Sequence, residues 1–192
     1  MSKDFEFRPD PRNSNDLDKI FLSQHQRFSL LRWTLYGLVC LVGLIVQDVV
    51  LYRVNYRGGG TDLLPCMIFV ITALEGGESG CVFSLVASVL YYFSGSAPGL
   101  YVIPLITAIA VITAIFRQAC LRRGFISILL CAAISMVVYE LLVFGAGLFL
   151  GNIPYARLQA MLLTAGYTLV AVPVCYPLLR AIGKIGGEVW KE

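Results

Sequence analysis

Hydrophobic and polar positions divide the chain into six apolar runs separated by short polar breaks. After about 28 polar residues the first run extends from Leu31 to Tyr52 and is followed by the loop NYRGGGTD, whose three consecutive glycines no helix would keep. The second run, Leu63 to Leu74, is short for a full crossing and holds Pro65, so a tilt or a kink near its start is expected. EGGESG turns the chain into a third run, Cys81 to Phe93, and SGSAPG into a fourth, Leu100 to Phe116. The basic loop RQACLRRG precedes the fifth and longest run, Phe125 to Leu150. The sixth, Leu158 to Ile182, contains Pro173 and Pro177, which should kink it or leave its last turns irregular. Runs of this length read as transmembrane helices. The pattern predicts an all-α polytopic membrane protein: a tail over 1–28, a six-helix domain over 29–185 and a second tail over 186–192.

The stretch from Leu74 to Leu100 organises the rest. Gly80, Ser84 and Ser88 recur every fourth position, with Tyr92 one turn further, and residues four apart stack on one side of a helix. A row of small residues lets helix backbones approach closely in lipid, where apolar burial supplies no drive for association. Gly80, Ser84, Ser88 and Tyr92 are therefore the candidate packing or partner face.

Composition agrees with the pattern. The chain is 58% hydrophobic and 14% charged, with mean hydropathy +0.77, whereas soluble domains carry about 25% charged residues. Placement of the basic residues sets the orientation. With the N-terminus inside, Lys3, Arg8, Arg12, Lys19, Arg27, Arg32, Arg117, Arg122, Arg123, Arg180, Lys184 and Lys191 fall on the cytoplasmic side, and only Arg53, Arg57 and Arg157 outside. That split fits an even number of crossings with both ends in the cytoplasm. No apolar core lies close to Met1, so the N-terminal tail reads as cytoplasmic rather than as a cleavable signal.

Chemistry narrows the functions. Glu140 sits among apolar neighbours in MVVYELLVFG, and a charged group at such depth costs about 2.5–3.5 kcal/mol on insertion scales. It reads either as a neutral or paired group joining helices or as a proton, substrate or partner contact. Gln47 and Asp48 make a second polar notch in the outer part of the first run, within possible reach of Glu140. Asp62 reads as a helix cap. The six cysteines lie in or beside apolar runs, form no CxxC or Cys/His spacing, and read as small hydrophobes rather than metal ligands or disulfides. No serine has a histidine partner in an apolar run, and no phosphate-binding, zinc-protease or dinucleotide motif is present. Basic residues flank the runs without forming a nucleic-acid patch. The reading is non-enzymatic, with no cofactor.

Several fragments together resemble the rod shape-determining MreD family of bacterial inner-membrane proteins. LIVQDVVL is similar to the end of that family's first helix, with Gln47 at its glutamine. TDLLPCMIFVITAL resembles its Pro-Asp-Leu-rich second helix, with Asp62 and Leu63 matching and Thr61 where proline is usual. In EGGESGCVFSLVASVLYYFSGSAPGL, residues Gly80, Ser94, Gly95, Gly99 and Leu100 fit the family's small-residue segment and Ser/Gly turn. Ser84 and Ser88 stand where glycines are common, and Tyr92 where an aspartate is common. The resemblance covers Leu38 to Phe116. It implies a scaffold of the elongation machinery that binds MreC and, directly or through it, MreB, the glycosyltransferase RodA and a class B penicillin-binding protein. It also implies the six-helix fold of substrate-binding subunits of energy-coupling-factor transporters. Such a vitamin-binding subunit is the alternative function, and its outward pocket should gather aromatics and polar groups; Tyr91, Tyr92, Tyr101, Tyr155 and Trp33 are available, though tyrosines at span ends also read as interfacial belt residues. An apolar groove on the bundle would instead point to a partner protein.

Overall fold

The computed structural model describes residues 24–54, 60–120, 125–151 and 157–185. These form helices α1 (Gln24–Val49), α2 (Leu63–Glu75), α3 (Gly77–Phe93), α4 (Val102–Cys120), α5 (Phe125–Phe149) and α6 (Leu158–Gly183), with one 3-10 turn at Leu51–Val54. There is no strand among the described residues. Most of the expected N-terminal tail, all of the C-terminal one and Tyr155 lie outside them, while α1 begins inside the stretch expected to be tail.

Three segments, Phe28–Val49, Phe125–Phe149 and Leu158–Gly183, are long and apolar enough to cross a membrane. Their outer faces carry exposed Leu41, Ile45, Ile126, Ile134, Val170 and Val174, while Arg32, Gln47, Arg117 and Glu140 are buried. Apolar side chains outside and polar ones inside match a lipid-facing protein.

At the centre is α2, not α3. It touches α1, α3, α4, α5 and α6, and every residue from Leu63 to Leu74 is buried. A helix apolar all round belongs in the interior. At 13 residues it is about 20 Å long, against roughly 30 Å of hydrocarbon, so its ends are recessed between its longer neighbours. Pro65 produces no break: it lies in the first helical turn, where its missing N–H would have no intrahelical partner anyway. The later prolines do not interrupt α6 either. The helix is continuous across Pro173 and Pro177, whose rings lie on the exposed face.

Each end of α2 is tied by side chains from other helices. At its start, the Leu64 N–H donates to Gln47 Oε1 (3.1 Å), the Asp62 N–H to Thr168 Oγ1 (3.1 Å) and the Gly60 N–H to Thr164 Oγ1 (3.1 Å). These satisfy orphan donors of a helix start. Asp62 occupies the cap position, but its side chain makes no cap bond; Gln47, on α1, does that work, which corrects the sequence expectation. Gln47→Leu is expected to cost about 1–3 kcal/mol, because it strands a buried N–H; thermal unfolding in detergent checks this.

At the other end, Arg117 Nη1 donates to the Leu74 carbonyl (3.1 Å), and Glu75 pairs with Arg32 (3.1 Å) while accepting from the Tyr36 hydroxyl (2.8 Å). Reversal into α3 takes one residue. Gly76 has φ 82° and ψ −168°, a region that only glycine occupies readily. The rest of EGGESG, expected as a turn, is already helix from Gly77 onwards. Elsewhere the layers are joined by polar contacts, such as Thr113 to Ser135 between α4 and α5 (2.6 Å).

Candidate functional site

A recess of about 540 Å³ opens above the start of α2. Three segments line it: the end of α1 (Gln47, Asp48), the approach to α2 (Gly60, Thr61, Asp62) and the α3–α4 turn (Ser94, Gly95, Ser96). Gly95 has φ 79°, the left-handed conformation that lets the Ser/Gly turn close. The turn is fastened to α1, with Ser96 Oγ donating to Asp48 Oδ1 (2.7 Å), and to its own helix, with Ser94 Oγ donating to the Tyr91 carbonyl (2.8 Å).

Behind Asp62 and Gln47 the recess backs onto a polar cluster drawn from four helix segments. The Asp62 carboxylate faces the Tyr91 hydroxyl and the Glu140 carboxyl; Tyr91 in turn faces Tyr139 and Gln47. Asp62 is half-buried on the recess side, whereas Tyr91 and Tyr139 are wholly buried and Glu140 is 5% exposed. Tyr91 Oη, Tyr139 Oη and Glu140 Oε1 have no hydrogen-bond partner among the described residues. They stand close enough to Asp62 and to one another, and Tyr91 to Gln47, to interact electrostatically. Phe69 packs edge-on to Tyr139 (6.1 Å between centroids) and closes the cluster from the α2 side.

The sequence candidates divide between this site and the interior. Gln47 and Glu140 belong to one cluster, joined through Asp62 and Tyr91. Asp48 is on the recess rim, turned toward Ser96. Gly80, Ser84 and Ser88 are buried within the chain. A Cβ added at Gly80 would lie 3.1 Å from the Thr72 Cα, so Gly80 is where α3 packs closely on α2. Ser84 and Ser88 donate back to the Cys81 and Leu85 carbonyls (2.7 and 2.8 Å). Tyr92 has rotated off that face, is half-buried and stacks on Phe93 (5.8 Å). Tyr139, Thr164 and Thr168 were not singled out as site residues by pattern, and Tyr91 only as an aromatic available to a vitamin pocket. Tyr91 and Tyr139 each directly precede a residue that was.

A second cavity, about 580 Å³, runs along the side of the bundle between α1 and α3. Trp33, Val82, Phe83, Val86 and Leu90 form its walls, with Gly37, Cys40, Ser79 and Ala87 leaving the space between them. Trp33 stacks on Phe83 (5.6 Å) and Tyr36 (5.7 Å) at one end. It is an apolar groove on a face whose flanking residues, Leu38 and Leu85, are exposed.

No three His, Cys, Asp or Glu side chains converge as metal ligands among the described residues. No protein-family model, curated protein or solved structure matches the chain, so its functional reading rests on these two cavities and on the resemblance carried by Leu38 to Phe116.

Proposed function

We propose that the chain is a non-enzymatic, multi-pass scaffold of the bacterial inner membrane, with six spans and both ends in the cytoplasm. In this reading it binds an MreC-like protein and, directly or through it, a RodA-type glycosyltransferase, a class B penicillin-binding protein and MreB, and so supports peptidoglycan synthesis and cell shape. The lateral groove between α1 and α3 carries the proposal. Helices in lipid associate by packing into one another's surface. Small residues lie on the groove floor and aromatics on its wall, a shape that suits the side chains of a partner's transmembrane helix. The small-residue row of Gly80, Ser84 and Ser88 is already used within the chain, so the partner face moves to this groove, on the neighbouring side of α3.

Gly37 gives a clean test, because a Cβ built there meets nothing within 4 Å. Gly37→Leu adds bulk to the groove from an open Cβ position, and leucine is the better helix former by about 1 kcal/mol. The variant is expected to keep its fold and thermal stability in detergent. Overpacking an interface costs about 1–3 kcal/mol, so recovery of the MreC-like protein in a mild-detergent pull-down should fall about tenfold or more. Undiminished recovery rejects the groove as the partner site.

The outer recess favours one second reading, the substrate-binding subunit of an energy-coupling-factor transporter. Its volume is in the range of small-molecule pockets, about 300–1,000 Å³. Among the described residues its lining is glutamine, acid, glycine, threonine and serine, with Tyr91 and Tyr139 behind Asp62. The same pull-down separates the two readings: co-recovery of paired ABC ATPases with their coupling membrane subunit replaces the scaffold.

A further inference from the structure

We propose that the floor of the outer recess is a binding site for a small inorganic cation, held by the Asp62 and Glu140 carboxylates and the hydroxyl oxygens of Tyr91 and Tyr139. The inference goes beyond the scaffold reading and does not depend on it.

Three observations converge. Among the described residues lining the recess, the two ionisable side chains are both acids, Asp48 and Asp62, which favour positive charge beside them. Behind it, a second carboxyl approaches Asp62 from α5, and three buried oxygens (Tyr91 Oη, Tyr139 Oη and Glu140 Oε1) have no hydrogen-bond partner meeting full geometry among the described residues. Buried polar atoms are nearly always satisfied, and a group of them turned toward one another marks a place where something else supplies the contact. Finally, the donor set is entirely oxygen and comes from the α2 approach, α3 and α5. Carboxylate and neutral oxygens suit hard ions such as Na⁺, K⁺, Mg²⁺ or Ca²⁺, and thiolate- or imidazole-seeking metals find no ligands here.

The start of α2 is a competing source of positive potential. A helix N-terminus is worth about half an elementary charge, which offsets part of one carboxylate and leaves the other. A neutral Glu140 acting only as a helix–helix contact would make the cluster indifferent to the surrounding salt, and that difference is measurable.

The test uses the purified full-length protein in nanodiscs of uncharged lipid. Its thermal unfolding is followed in choline chloride and, at matched ionic strength, in NaCl, KCl, MgCl₂ and CaCl₂. A site specific to the folded state raises Tm with at least one of these ions, saturating with concentration. Glu140→Gln and Asp62→Asn should each abolish the rise, and Glu78→Gln, on an exposed position of α3, should keep it. Tyr139→Phe removes one oxygen and no charge. It should raise the ion concentration for half-maximal effect several-fold, and it decides the matter if the carboxylate variants do not fold. No rise with any of the ions, or a rise that survives in Glu140→Gln, Asp62→Asn and Tyr139→Phe, overturns the proposal. No partner protein enters the measurement, so its failure leaves the groove reading untouched.

Discussion

Glu75→Ala is expected to lower the stability of the bundle by about 3–5 kcal/mol, the range for removing one member of a buried ion pair. Glu75 and Arg32 approach to 3.1 Å with side chains only 4% and 10% exposed, so solvent screening reduces their interaction little. The loss has two parts. Arg32 keeps its charge in a buried position, where Nε already lacks a hydrogen-bond partner, and the Tyr36 hydroxyl loses the carboxylate that accepts its proton at 2.8 Å. Its other acceptor, the Leu179 carbonyl, is at 3.4 Å. Thermal or denaturant unfolding in detergent gives the number directly.

The double variant Arg32→Met/Glu75→Met separates the pair from the burden of an orphaned charge. Apolar replacement of both members of a buried pair is often neutral or stabilising, so the double variant should recover most of what Glu75→Ala loses. If it is as unstable as the single variant, the pair is doing something packing cannot replace. The position connects to the proposed function, because Arg32 and Tyr36 anchor the N-terminal half of α1 to Glu75 at the α2–α3 turn. Trp33, between them in sequence, walls the lateral groove. If the groove seats a partner helix as proposed, loosening α1 should reduce partner recovery along with stability.

The apolar runs were legible in the sequence because each helix is an apolar segment bounded by glycine, proline or charge. What pattern did not reveal was which helix is central. The second run was read as short for a span, yet its brevity and unbroken apolarity are two signs of one fact, a helix enclosed by all the others. The polar site was half legible. Gln47 and Glu140 stand out as polar residues in apolar runs, but Gln47 reaches Leu64 and Glu140 reaches Asp62 only through tertiary packing. Tyr92 was placed on the small-residue face by counting in fours. Each residue turns a helix by about 100°, so the twelve steps from Gly80 leave Tyr92 about 120° off that face, while eleven bring Tyr91 back to within about 20°. Accordingly Tyr91 is the wholly buried tyrosine, at the floor of the recess. Thr164 and Thr168 were missed because threonine is ordinary in such a helix, where its hydroxyl also bonds the carbonyl four residues back, as both do here.

Gly80→Leu is expected to prevent α2 and α3 from assuming their present crossing, with a loss at or above the upper end of the 1–3 kcal/mol usual for overpacking. The Cβ alone would stand 3.1 Å from the Thr72 Cα and 3.2 Å from its Cγ2. The first of these is backbone, so no rotamer change makes room. Gly80→Ala tests the contact at its smallest and should cost about 1–3 kcal/mol. The comparison with Gly37, where added bulk meets nothing, isolates packing from helix propensity, which favours alanine over glycine by about 0.8–1.0 kcal/mol at either site. Gly76→Ala should add a different penalty, about 1–3 kcal/mol of backbone strain, from its φ of 82° and ψ of −168°. A Cβ there meets nothing closer than Gln118 Nε2 at 3.6 Å, so its cost lies in the backbone. Unfolding measurements on Gly37→Ala, Gly76→Ala and Gly80→Ala should therefore show a small gain and two losses. If Gly80→Ala instead matches Gly37→Ala, α3 is free to back away from α2. The recess floor, which needs Tyr91 held against Asp62 by that same crossing, would then lack the rigidity that a selective site requires.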